Sequence, residues 1–164
     1  MMLHFLKKKK NQTSDLLVAP AEGRLIPITE VNDPVFSTKM MGDGFAVIPN
    51  SGEVKSPVSG KIMSIFDTKH AISIQTDHGL EVLVHMGVDT VELKGQPFTL
   101  YVKANDTVKA GEKIADIDLT ALKKAGKDNS VIVVFTNADR ISDFSLFANG
   151  EVNPGKEIGK VELK

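Results

Sequence analysis

Two histidines carry the strongest chemical signal in the chain. His70 and His85 stand on the two arms of the stretch His70–Gly95, which reads HAISIQTDHGLEVLVHMGVDTVELKG. A neutral imidazole with one ring nitrogen held by a hydrogen bond keeps the other free as a nucleophile. A second imidazole beside it can donate a hydrogen bond to whatever the first one takes up. That chemistry suits a phosphoryl group accepted on His85 with His70 assisting. Two ordinary part-buried histidines would leave the same trace, and so would a pair of zinc ligands. A catalytic zinc normally takes three protein ligands. His4 lies in the N-terminal tail and His78 at a turn tip, so no third histidine joins the pair, and zinc on His70 and His85 remains only a weak alternative.

The elements around the histidines explain why they are expected to meet. Ala71–Thr76 alternates apolar and polar residues, the period of a half-buried strand. Asp77-His78-Gly79 is turn chemistry, and Leu80–Val84 resumes a β-rich run that ends near Gly87. A three-residue loop pairs Thr76 with Leu80, sets Ala71 opposite His85, and sets His70 opposite Met86. A one-residue slip would reverse the faces, so the pattern predicts nearness rather than geometry. Leu83 alternates away from Val82 and Val84, and Asp89 follows the Gly87 turn.

Composition narrows the function classes. A chain of 164 residues is expected to form one domain with a proper core. A net charge of −1 gives no reason to expect a nucleic-acid partner. The absence of cysteine excludes disulfides, cysteine-ligated zinc and iron–sulfur clusters, and fits a reducing, cytoplasmic setting. No residue pattern calls for a cofactor. Gly42 and Gly44 mark a tight backbone, yet their spacing is not that of a phosphate-cradling loop.

Along the chain, residues 1–14 read as a flexible basic tail and residues 15–164 as the single domain. Lys7 to Lys10 follow a short apolar run and suit transient contact with an anionic membrane surface, at roughly 1 kcal/mol per lysine. Two internal echoes follow. Pro20-x-x-Gly23-Arg-Leu25 matches Pro57-x-x-Gly60-Lys-Ile62, and Val108–Ile117 matches Val152–Val161. Each is a glycine turn followed by a strand, and their order implies a duplicated all-β domain with interleaved halves. Strands are expected at Phe45–Ile48, Lys61–Phe66, Val91–Leu93, Phe98–Val102 and Val131–Phe135, with the last ending at Leu163. Helical content is expected from Asp118, a suitable N-cap, to Ala125, with Gly126 as the stop. A helical turn is expected within Asp139–Phe147.

Met41-Gly-Asp-Gly44, Thr68-Lys-His70-Ala and the run Val84-His-Met-Gly87-Val-Asp-Thr-Val-Glu-Leu-Lys-Gly95 resemble the glucose-family enzyme IIA of the bacterial phosphoenolpyruvate:sugar phosphotransferase system. The likeness runs from about Leu16 to the C-terminus. It implies an antiparallel β-sandwich with a duplicated hybrid motif and one or two short helices. It implies that His85 takes phosphate from the carrier HPr and gives it to a IIB domain of a sugar permease. His70 would then donate a hydrogen bond to the phosphoryl group, Thr68 would bond within the site, and the Gly87 carbonyl would hold one ring nitrogen of His85. Asp33 and Asp89 match rim acids suited to partner arginines. Val35, Phe36, Met41, Phe66 and Leu83 match an apolar docking collar. Regulatory target proteins are further partners of this kind of protein, and the sugar cannot be read from this chain. A swinging-arm carrier is a rival, because Val108-x-x-Gly111-x-x-Ile114 resembles the turn of biotinyl and lipoyl domains. Lys39 lacks the flanking pattern that such carriers need.

Overall fold

The computed structural model describes residues 13–164. Most of the tail, including the lysines expected to touch a membrane, lies outside the described residues. One antiparallel sheet runs in the order β13 (Gly150–Val152), β2 (Gly23–Pro27), β3 (Gly44–Pro49), β11 (Val131–Phe135), β7 (Glu81–Met86), β6 (Ala71–Gln75), β5 (Gly60–Ile65) and β9 (Thr107–Val108). Two three-stranded antiparallel sheets accompany it. One runs β1 (Thr13–Val18), β14 (Glu157–Leu163), β12 (Ile141–Leu146), and the other β4 (Glu53–Lys55), β10 (Lys113–Ile117), β8 (Phe98–Leu100). The helices are short: α1 (Pro34–Ser37) and α2 (Leu119–Lys124). Among the described residues, no helix is long and apolar enough to cross a membrane. The expected antiparallel β-sandwich is the fold observed.

The large sheet is buried on both faces near its centre. On one face Ile72, Ile74, Val82, Val84, Val131 and Val133 join Leu17, Val54, Ile114 and Val161 from the smaller sheets in the main core. The opposite face of β7 and β11 carries Leu83, Ile132 and Val134, which a second cluster covers with Ile28, Val31 and Phe36. His85 shares that second face with Leu83, because strand residues two apart point the same way. Double burial explains why β7 and β11 read as almost continuous apolar runs.

The echoes seen in the sequence are structural. Gly23 pairs with Val152, and Gly60 pairs with Val108. The Val18 N–H donates to the Pro57 carbonyl at 2.9 Å, and the equivalent Lys55 N–H donates to the Pro20 carbonyl at 2.8 Å. The Ala19 N–H to Lys156 and the Ser56 N–H to Glu112 repeat the same relation, each at 2.8 Å. The two copies therefore exchange strands about a local twofold relation. Gly111 and Gly155 meet there, a Cβ on Gly111 lying 3.8 Å from the Gly155 Cα.

Several expectations need correction. Val91–Leu93 is not a strand but part of a 3-10 turn, Thr90–Leu93, bounded by Asp89 and Lys94 at positive φ. The helical turn expected within Asp139–Phe147 is present as the 3-10 turn Ala138–Arg140, which starts one residue earlier, but the rest of that segment is the strand β12. A register shift between Ile141 and Asp143 breaks the period-two pattern there, which hid the strand. The first strand already includes Thr13 and Ser14, which pair with Leu163 and Glu162 instead of belonging to the tail. The helix after Asp118 forms as expected. The Asp118 carboxylate accepts the Ala121 N–H at 3.0 Å, and Gly126 ends the helix at φ +71°.

Gly44 and Gly126 separate two uses of glycine. A Cβ on Gly44 would lie 1.9 Å from the Val133 carbonyl oxygen in the neighbouring strand, whereas a Cβ on Gly126 meets nothing within 4 Å. Gly44→Ala should cost at least about 3 kcal/mol through overpacking against backbone. Gly126→Ala should cost only about 1 kcal/mol through its positive φ. Urea unfolding of both variants checks the ranking; equal losses would contradict it.

Candidate functional site

His85 lies on β7 between Ala71 of β6 and Ile132 of β11. The hairpin has the expected register: the Thr76 N–H donates to the Leu80 carbonyl at 2.9 Å, and Ala71 faces His85. The Met86 N–H donates to the His70 carbonyl at 2.7 Å, so the two histidines are tied through their backbones. Their rings meet edge to face with centroids 5.0 Å apart. A tight turn delivers His70. The Phe66 N–H donates to the Ala71 carbonyl at 3.0 Å, and the Lys69 N–H to the Phe66 carbonyl at 2.7 Å, with Lys69 itself at φ 59°.

Hydrogen bonds fix the rings. His85 Nδ1 is 2.7 Å from the Gly87 carbonyl oxygen. A carbonyl only accepts, so Nδ1 carries the proton, and in the neutral ring Nε2 holds the free lone pair. Gly87 makes this possible: its φ is +80°, and a Cβ would lie 2.5 Å from Thr90 Cγ2 and 2.8 Å from the Asp128 carbonyl oxygen. His70 Nδ1 is 2.6 Å from Thr68 Oγ1. Its other ring nitrogen is free of this bond.

The electrostatics keep both rings neutral. Burial lowers the His70 pKa. His85 is lowered to about 4, first by burial and then by the neighbouring His70, against the opposing pull of the Gly87 carbonyl, Asp33 and Asp89. A ring so tuned is a neutral nucleophile across the physiological range.

Around His85 opens a cleft of about 200 Å³. Five of the residues singled out in the sequence line it with His85: Asp33, Val35, Phe36, Met41 and Asp89. Asp33 also caps α1, accepting the Val35 N–H at 2.8 Å. Phe36 is buried beneath the cleft, its ring centroid 5.0 Å from that of His85. Phe66 is exposed and sets its ring edge-on to His70, with centroids 5.3 Å apart. Leu83 departs from its expected place in the collar: it is buried under the site in the second cluster and offers almost no surface to a partner. Thr90 and exposed Val91 complete the cleft. The sequence reading took Val91 for a strand residue and so missed both. Among the described residues, no group of three or more histidines, cysteines or carboxylates is placed to hold a metal ion. His78 lies at the far end of the hairpin, 3.0 Å from an Asp15 carboxylate oxygen.

Residues 15–141 match the model of the phosphoenolpyruvate-dependent sugar phosphotransferase system EIIA 1 family. The chain belongs to this family. It is a phosphotransferase component of that system, a IIA unit on an antiparallel β-sandwich. It is similar to the glucose-specific EIICBA component of Streptococcus pneumoniae, 50% identical over 143 residues that make up 87% of this chain and 20% of that one. It is also similar to the glucose-specific EIIA component of Halalkalibacterium halodurans, 42% identical across 96% of this chain and 93% of the relative. The chain thus spans a fifth of the length of the first relative and nearly all of the second. Among solved structures it resembles glucose permease IIA from Mycoplasma capricolum, with a TM-score of 0.82, 40% identity, and coverage of 90% of this chain and 96% of that one.

The lowered His85 pKa ties stability to pH. The folded ring refuses a proton that the unfolded ring accepts between pH 6.5 and about 4. Its contribution is complete above the upper limit and is lost as pH falls through that window, by roughly 3 kcal/mol. His85→Gln removes this titration. Urea unfolding at about pH 7 and about pH 4.5 should show a smaller pH-dependent loss in the variant than in the parent; parallel losses would contradict the shift.

Proposed function

We propose that His85 Nε2 accepts a phosphoryl group from phosphorylated HPr and passes it to a IIB domain during sugar uptake. The observation that carries this reading is the Nδ1–H to Gly87 bond, which leaves the Nε2 lone pair of a neutral, half-buried ring available. In the first step the phosphorus–nitrogen bond on the carrier breaks as a new one forms at His85 Nε2. In the second, that bond breaks as the IIB nucleophile takes the group. Such transfer rests on alignment and charge stabilisation rather than on covalent help from the protein.

Each neighbour then has a role. Thr68 donates its hydroxyl hydrogen to His70 Nδ1, so that His70 carries its proton on Nε2 and donates it to a phosphoryl oxygen. Among the described residues the charged groups that act on the ring are the carboxylates of Asp33 and Asp89 rather than a lysine or arginine, so no cation there would trap the phosphoryl group. Val35, Met41 and Phe66, exposed beside the site, form the apolar centre of a transient interface, and Asp33 and Asp89 its acidic rim for cationic partner residues. Phe36 and Leu83 support that surface from below. Regulatory partners would use the same face, and the tail before Thr13 could add a membrane-surface contact.

Cytoplasm is the setting in which such a carrier meets its donor, and one domain that includes Thr13 and Ser14 is the working unit.

Phosphoenolpyruvate, enzyme I and HPr should add one acid-labile phosphoryl group, read by intact mass. His85→Ala should take none. His70→Ala should still be phosphorylated but should pass the group to IIB about 100-fold more slowly, the usual cost of losing a donor to a developing charge. A wild-type protein left unmodified, beside a IIA control that is phosphorylated, would refute this function.

A further inference from the structure

The β7–β11 ladder ends where Met86 meets Val131, and the chain then turns sharply at Gly87. What holds the turn is the loop 127–130 that leads into β11. The Gly87 N–H donates to the Ser130 carbonyl at 2.8 Å, and the Val88 N–H to the Asp128 carbonyl at 3.1 Å. The second bond matters most. The Val88 N–H and the Gly87 carbonyl belong to one planar peptide unit and point in opposite directions. The Asp128 carbonyl therefore grips one side of the very peptide whose other side grips His85 Nδ1. Hydrogen bonds in series across a peptide polarise one another, so this contact acts on the strength of the Gly87 acceptor as well as on its direction.

The Asp128 side chain gives the loop its shape. Its carboxylate accepts the Ser130 N–H at 2.8 Å, which curls residues 128–130 so that both carbonyls face β7. Lys127 Nζ lies 2.9 Å from Glu92 Oε2 and ties the start of the same loop to the 3-10 turn after Asp89. Thr90 Oγ1 fixes the preceding peptide by donating to the Met86 carbonyl at 2.6 Å.

We propose that Asp128 is a positioning residue for phosphoryl transfer: its carboxylate shapes the 128–130 loop, the loop orients the Gly87–Val88 peptide, and that peptide sets the tautomer and direction of the His85 ring. Asp128 does not touch the phosphoryl group. Its role rests on His85 being the acceptor, yet the first link of the chain, from Asp128 to the tautomer of His85, is measurable without any transfer.

The test is long-range proton–nitrogen NMR of the imidazole rings in the whole chain, with phosphoryl transfer from HPr measured alongside. The parent should show His85 as a single Nδ1–H tautomer. Asp128→Ala should show a mixture with the Nε2–H form and a transfer rate about 10-fold lower, the scale expected of a slightly misplaced reacting group. Asp128→Asn keeps an acceptor for the Ser130 N–H and should restore both. If Asp128→Ala does not fold, Asp128→Glu takes its place, since it keeps the charge and displaces the acceptor by one methylene; it too should give a mixed tautomer. A folded Asp128→Ala or Asp128→Glu with the parent's tautomer and rate would overturn the proposal, even if it were less stable, because the role would then be structural only. If the parent itself takes no phosphate, the transfer reading fails and the tautomer ratio alone decides what Asp128 does.

Discussion

The bond from His85 Nδ1 to the Gly87 carbonyl is the constraint on which the site depends. It decides which nitrogen bears the proton and therefore which one can react. It also demands a backbone that turns back on itself directly after a central strand. Only glycine accepts that turn here, since any side chain would collide with Thr90 and with the Asp128 carbonyl. The ring is thus oriented by main-chain groups on rigid neighbours, which hold geometry better than a side-chain partner on a mobile loop.

Burial and reactivity are linked at the same point. The second face of β7 and β11 is covered by Phe36, Val31 and Ile28 but not closed over His85. That partial cover removes enough water to lower the pKa of the ring and leaves Nε2 reachable from the cleft. A fully closed face would give a structural histidine, and a fully open one a histidine of ordinary basicity. The strained turns beside the pair fit the same pattern. Lys69 and Asp89, both non-glycine residues at φ 59°, flank the two histidines. Conformations of that kind cost of order 1 kcal/mol or more and persist where surrounding structure enforces them.

The hairpin was legible in the sequence because a short glycine turn joins the alternating run Ala71–Thr76 to a second β-rich run, and the three-residue loop offers the register that the structure adopts. The duplication was legible because glycine turns recurred in matched order. The helix at Asp118 announced itself by its cap and its glycine stop. Other features left no such trace. Helix α1 is too short for periodicity, so resemblance marks Asp33 as a rim acid while its second role, capping that helix, left no trace. The bulge in β12 disturbed the very alternation by which strands are recognised. Resemblance places Leu83 in the collar, and alternation tells only that it faces away from Val82 and Val84; the cluster that buries it comes from residues far away in sequence. The loop 127–130 was invisible for a deeper reason: it works through carbonyl groups that every residue possesses.

The exchange of strands between the two copies bears on how the chain is made. Thr13 of β1 pairs with Leu163 of β14, and β2 is edged by β13. A ribosome delivers the first partners of these pairs long before the last. The β1–β14 pairing and the twofold contact at Gly111 and Gly155 cannot close until nearly the whole domain has emerged. Completion of the fold is therefore postponed to the end of translation of this unit, with β1 waiting for β14 and the outer edge of β2 for β13, a period in which such unpaired segments are open to aggregation and to chaperones.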